Sequence, residues 1–169
     1  MKKIAIVYSF NTQKTGKIAK RIKEAFGKDA NVEMVNVEEV SADEFMQYDN
    51  LICGTATWFD GELPNHWDEF LPELEDMDLK GKRVAIFGLG DQKGYPENFL
   101  DGMGILGEIL EAQGGRLVGF TSTEEYSYES SRAERGDQFI GLGIDFETQG
   151  SKNKDRVNGW VEKLKLELK

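Results

Sequence analysis

The sequence predicts an α/β protein built on a doubly wound, five-stranded parallel sheet, and three observations lead there. Short apolar runs without polar alternation recur along the chain, as in strands covered on both faces. Between them lie segments with apolar residues at helical spacing. Strands and helices alternating in this way return over the sheet by right-handed crossovers and place helices on both of its faces.

Each element has its own signal. Ile4–Tyr8 is an unbroken apolar run, followed by Ile18, Ala19, Ile22, Ala25 and Phe26 at helical spacing. A weaker strand over residues 32–37 leads to Ser41-Ala42-Asp43-Glu44, a capping box that opens a short helix. Residues 51–53 form the third strand, and Pro64 stands where a helix start tolerates it, ahead of Trp67, Phe70, Leu71 and Leu74. Residues 84–87 are the fourth strand, and Phe99, Leu100, Met103, Leu106, Ile109 and Leu110 mark the next helix. A fifth strand starts at residues 117–120, is interrupted by a polar insertion over 121–138 and resumes over 139–144. Val157, Trp160, Val161, Leu164 and Leu168 give the last helix.

Composition narrows the function classes. The 169 residues, 39% hydrophobic and 31% charged, are expected to form a single globular domain over 1–169. A formal charge of -10 repels phosphate backbones and anionic membranes, so neither nucleic acid nor membrane is an expected partner. An acidic face suits basic protein patches, and equally suits simple solubility. The lone Cys53 cannot form an internal disulfide, and with the lone His66 it leaves no Cys/His metal cluster. Cys53 reads as a buried inert thiol and His66 as a surface or helix-packing residue. The N-terminal apolar run is too short for a signal peptide or membrane span, so a cytoplasmic location is expected.

Three loops carry the candidate chemistry. Residues 9–15 join the first strand to the first helix, where unpaired N–H groups and the helix dipole favour an anion. Thr12 and Thr15 add hydroxyls there, or alternatively cap the helix. This is no Walker loop, since the required glycines would fall at Tyr8 and Gln13. The loop over residues 54–61 offers Thr55, Thr57 and Trp58, with Gly61 allowing close approach of a ligand. The loop over 88–95 offers Gly90, Asp91 and Tyr95, with Asn98 just beyond. Each has a plainer alternative: Trp58 as core under its loop, Asp91 and the glycines as turn chemistry. Gly88-Leu89-Gly90 also lacks the third glycine of a dinucleotide fingerprint, because position 93 is lysine.

Together these segments resemble the flavin and phosphate sites of flavodoxins, and the whole chain resembles the long-chain subclass. The most specific pieces are Gly54-Thr55-Ala56-Thr57-Trp58 with Gly61-Glu62-Leu63, then Gly88-Leu89-Gly90-Asp91-Gln92 with Gly94-Tyr95, and Gly141-Leu142-Gly143-Ile144-Asp145. The resemblance implies strand order 2-1-3-4-5 and a ligand beyond the carboxyl ends of the strands, a rule for which flavodoxin with FMN is itself a standard example. It implies FMN as cofactor, with Trp58 and Tyr95 flanking the ring and Thr55, Thr57, Phe59, Asp60, Gly61, Gly90, Asp91 and Asn98 around it. Asn11, Thr12, Gln13, Lys14 and Thr15 would hold the phosphate.

The implied activity is low-potential one-electron transfer, cycling semiquinone and hydroquinone, with no substrate of its own and no catalytic or metal site. A monomer exchanging electrons with a reductase donor and an acceptor enzyme through an acidic surface is expected. Asp60, Glu62, Asp91 and Asp145 would raise the cost of the second electron, and a flip of the Phe59–Asp60 peptide would serve flavin N5. Two positions depart from the family pattern: Phe10 replaces a usual Ser or Thr, and Gln13 a usual small residue. An FMN-dependent NAD(P)H:quinone reductase and a flavin-free interaction domain remain the alternatives on this fold.

Overall fold

The computed structural model describes residues 1–169. Its central sheet holds β1 (Ile4–Tyr8), β2 (Val32–Asn36), β3 (Asn50–Thr55), β4 (Arg83–Leu89) and β5 (Arg116–Val118) in the order β2-β1-β3-β4-β5, all parallel. Successive side chains of each strand point to opposite faces, and both faces are covered. Ala5, Val7, Leu51, Cys53, Val84 and Ile86 join one core with Phe45, Trp67, Phe70, Leu74, Phe99 and Leu110. Ile4, Ile6, Tyr8, Ile52, Ala85 and Phe87 join the other with Ile18, Ile22, Trp160 and Leu164. The missing alternation in the sequence is therefore the imprint of two cores sharing one sheet.

The first core is roofed by α2 (Ala42–Met46), α3 (Asn65–Asp68), α4 (Leu71–Glu75) and α5 (Asp101–Ala112). The second is roofed by α1 (Lys14–Phe26) and α7 (Asn153–Glu167). Ser41 caps α2, its hydroxyl accepting from Glu44 N–H at 3.1 Å. Pro64 precedes two short helices rather than one, with Trp67, Phe70 and Leu74 turned into the core. Phe99 and Leu100 precede α5, and Leu100 holds its N-cap in a left-handed conformation, φ +60°.

The fifth strand differs from the expected outline. Residues 119–120 are not strand, because Gly119 turns the chain at φ +80°. The insertion folds into a small antiparallel sheet of β6 (Thr121–Ser122), β8 (Gln138–Phe139) and β7 (Glu134–Arg135), so Phe139 belongs to it. The main strand resumes only as β9 (Leu142–Ile144), alongside residues 87–89 of β4. Tyr126 and Tyr128 pack inward: their rings lie 5.7 and 5.4 Å from that of Phe99, and 5.1 and 5.4 Å from that of Phe139. Burial pushes both phenols up to about 12, assisted at Tyr128 by the hydrogen bond it donates to Glu134.

Register places the site. Gly54 pairs with Phe87 and Thr55 with Gly88, so the loops after β3 and β4 leave the sheet side by side, and Val7 pairs with Cys53 one strand over. Leu89 pairs with Ile144, which brings the chain after β9 to the same edge.

Candidate functional site

At that edge lies a cleft of about 480 Å³ lined by Thr12, Gln13, Lys14, Thr15, Ala56, Thr57, Leu89, Gly90, Asp91, Tyr95, Phe146 and Glu147. A second cavity of about 450 Å³, lined by Thr57, Trp58, Phe59, Gly90, Asp91, Tyr95 and Asn98, shares four of those residues and extends the cleft past the aromatics. Volumes of this size suit a cofactor or drug-sized ligand.

One end is the N-terminus of α1. Its N-cap is Gln13, whose side chain caps nothing, and no acidic residue occupies the first turn. The helix-start N–H groups thus face the cleft without protein acceptors, the arrangement that favours an anion. The capping alternative for the threonines does not hold, since Thr12 Oγ1 donates to the Ser9 carbonyl at 2.6 Å. Ser9 is buried and donates to Glu38, which also accepts from Asn11 Nδ2 at 2.8 Å. These hydrogen bonds hold the Glu38 carboxyl below its ordinary range. Phe10 does not line this cleft; it is 49% exposed, its ring 5.1 Å from that of Tyr8, and it borders an adjoining cavity that shares Thr12, Gln13, Lys14 and Phe146 with the cleft.

The other end is aromatic. Trp58, Phe59 and Tyr95 are 37%, 71% and 58% exposed, a concentration of apolar surface at one rim. Trp58 is not core under its loop, although His66 supports it edge-on at 5.7 Å. The Trp58 and Glu62 backbones exchange two hydrogen bonds, at 2.8 and 2.7 Å, and close a three-residue loop over 59–61. Phe59 sits there at φ +50° and Gly61 at φ +93°. A Cβ on Gly61 would also come within 2.7 Å of the Asp101 carboxylate and 2.8 Å of Asn98 Nδ2. Asn98 Nδ2 donates to the Asp60 carbonyl at 3.2 Å and to Asp101 at 3.1 Å, clipping this loop to the start of α5. Thr57 Oγ1 accepts from Gly102 N–H at 2.9 Å, and Gly102 has no room for a side chain because its Cβ would overlap the Ala56 carbonyl.

The loop after β4 is held from below by Asp145, which is fully buried. Its carboxylate accepts from Gln92 N–H at 3.1 Å, Gln92 Nε2 at 2.8 Å, Thr148 Oγ1 at 2.6 Å and Thr148 N–H at 2.9 Å. Burial alone would raise this carboxyl; the donors of Thr148 and Gln92 outweigh it and hold the group below its ordinary value. Gln92 Oε1 accepts from Ser127 N–H at 2.6 Å, so the insertion braces the same loop. Asp145 is therefore a saturated latch and not an unpaired charge beside the ligand. Asp91 Oδ1 accepts from Lys93 and Gly94 N–H at 3.1 and 2.8 Å, which is the turn role the sequence left open.

Of the expected residues, the cleft brings together Thr12, Gln13, Lys14, Thr15, Thr57, Trp58, Phe59, Gly90, Asp91, Tyr95 and Asn98. It does not bring Asn11, which is tied to Glu38, or Thr55, which is buried in β3 and donates to the Ala56 carbonyl at 2.9 Å. Asp60 and Gly61 shape the loop without lining the cavity. Sequence reasoning missed Phe146 and Glu147, on α6 (Phe146–Gln149), and the backing roles of Gln92 and His66. Cys53 is fully buried, and burial pushes its thiol up, so it is inert.

An open, doubly wound sheet with a ligand cleft at its carboxyl edge defines a broad class of cofactor-binding α/β proteins. Within that class, the sequence profile of the family described as Flavodoxin matches residues 6–160. The flavodoxin of Synechocystis sp. is 41% identical over 98% of this chain and 97% of its own length, and that of Klebsiella pneumoniae 41% over 98% of each. Among solved structures, a Fusobacterium nucleatum flavodoxin bound to flavin mononucleotide superposes with a TM-score of 0.93 at 36% identity, covering 100% of both chains. Oxidised Flavodoxin 2 of Bacillus cereus superposes with a TM-score of 0.78 at 30% identity, covering 98% of this chain and 99% of its own. The chain belongs to the flavodoxin family.

Proposed function

We propose that this chain, as a single domain over residues 1–169, is a one-electron carrier that binds FMN non-covalently. The observation that carries the reading is one continuous cleft with an anion-binding helix start at one end and an aromatic slot at the other. Its chemistry matches a flavin monophosphate, and the family relationship makes FMN the specific choice. Bound there, FMN supplies a ring that takes up and releases electrons singly.

The protein's own residues supply the rest. The N–H groups at the start of α1, with Thr15 and Lys14, would receive the phosphate, the Thr12 hydroxyl proton being spent on the Ser9 carbonyl. Trp58 and Tyr95, which line the same cavity, would stack on the ring and exclude water from it. The Phe59 carbonyl accepts no hydrogen bond within the protein, whereas that of Asp60 is held by Asn98. The Phe59–Asp60 peptide is thus the freer of the two to reorient toward flavin N5. Asp60, Glu62 and Glu97 are exposed around the aromatic rim and suit basic patches on a donor reductase and an acceptor enzyme.

The test is visible absorbance of the FMN-loaded protein during stepwise anaerobic reduction. A long-wavelength band that rises and then falls before full bleaching is the expected result. Direct bleaching with NADPH as sole reductant would point to a reductase instead, and a free-flavin spectrum would remove the assignment.

A further inference from the structure

We propose that Glu147 acts as a brake on phosphate binding: its carboxylate shares the phosphate end of the cleft with Lys14 and sets how tightly this chain holds a phosphorylated flavin. The inference rests on the FMN reading above and concerns only its phosphate end.

Lys14 is the one cation among the residues lining the cavity of about 480 Å³, and two acidic residues, Asp91 and Glu147, line it as well. Asp91 lies on the aromatic loop and its carboxylate is engaged by its own turn. Glu147 lies at the other end, and its carboxylate forms an ion pair with the Lys14 ammonium. That ammonium also stands 6.0 Å from the centre of the Phe146 ring, so two consecutive α6 residues hold it. The position of α6 is in turn fixed by the buried Asp145 cap beneath it. Glu147 is therefore presented to the cleft by a braced element.

An incoming phosphate meets favourable N–H groups, but its natural counter-cation is already paired. It must draw Lys14 from Glu147, and the freed carboxylate then stays in the same cavity as a doubly charged ligand. Both partners are about half exposed, with side chains 58% and 53% accessible, so screening keeps the effect modest. Glu147 is absent from the aromatic cavity, so binding of the ring should not sense it.

The experiment titrates the flavin-free wild-type chain, Glu147→Gln and Glu147→Ala with FMN and, separately, with riboflavin, following flavin fluorescence at low and high salt. Both variants should bind FMN about three- to tenfold more tightly than wild type. Their riboflavin affinity should equal that of wild type, and the FMN gain should shrink at high salt. In a Lys14→Met background the gain from Glu147→Gln should be smaller. Unchanged or weaker FMN binding in both variants would overturn the proposal, as would an equal change for riboflavin, which would assign Glu147 to packing. Wild type binding both flavins with no response at position 147 removes this inference alone. Wild type binding neither removes the FMN reading and this inference with it.

Discussion

At the aromatic end of the cleft every loop is tied down: Trp58 to Glu62, Asp60 to Asn98, Thr57 to Gly102, Gln92 to Asp145 and Ser127. At the phosphate end the helix start has no side-chain cap, and one exposed ion pair lies across it. The contrast fits the flavin phosphate proposed for this cleft. A flat ring is held by shape, which needs aromatic side chains fixed before the ligand arrives. A phosphate is held by charge and N–H groups, which must be left unspent. Substitutions at the aromatic end should therefore cost stability, and those at the phosphate end should change affinity.

The largest effect is expected at Gly102. A side chain there overlaps the Ala56 carbonyl and drives the start of α5 away from Thr57. Gly102→Val should lower the unfolding free energy of the flavin-free protein by about 3 kcal/mol, combining overpacking with a lost hydrogen bond. Urea denaturation measures it, and a loss below about 1 kcal/mol would mean that this junction is not rigid.

Asp145→Asn comes next. The amide would turn donors toward the Gln92 and Thr148 donors, at a cost of about 2 kcal/mol. The pH dependence has a definite sign. Because the folded carboxyl lies below its ordinary 3.8, its stabilisation is present above that value and is lost as pH falls through the folded pKa. The acid limb of the wild-type stability profile should accordingly be shallower in Asp145→Asn. An unchanged limb would place the acid sensitivity elsewhere.

Lys14→Met sharpens the other half of the contrast. Its ion pair is exposed, so flavin-free stability should change by less than about 0.5 kcal/mol. FMN affinity should fall about tenfold, the loss of one charge-assisted contact, with riboflavin affinity unaltered. A stability loss comparable to that of Asp145→Asn would erase the distinction between the two ends.

The aromatic end was the more legible in the sequence, for the same physical reason. Exposed Trp58 and Tyr95 beside glycines stand out within single loops, and apolar runs such as Ile4–Tyr8 report a sheet buried on both faces. Phe146 and Glu147 were invisible because they reach the cleft only through the pairing of Ile144 with Leu89, across an insertion whose route no local pattern records. The fifth strand was misjudged at Phe139 for a related reason. Its apolar character serves a ring cluster with Phe99, Tyr126 and Tyr128, and a buried aromatic looks the same in either role. Asn11 and Thr55 carry suitable side chains, but each is spent on a nearer partner, Glu38 or the Ala56 carbonyl.

The smallest expected effect tests how firmly Trp58 is held from behind. His66 meets the indole edge-on, and burial lowers its pKa despite the opposing charges of Glu38 and Glu69. The folded state thus favours the neutral imidazole. With the folded pKa below the ordinary 6.5, the unfolded chain binds the proton first, so stability declines as pH drops below 6.5 until the folded pKa is passed. Trp58 emission in the flavin-free protein should titrate at a pH below 6.5, and the step should vanish in His66→Gln while its affinity for riboflavin changes by less than about threefold. A Trp58 signal that ignores pH across this range would mean that the ring is positioned by its own loop closure alone, with the Trp58–Glu62 hydrogen bonds sufficient to present it.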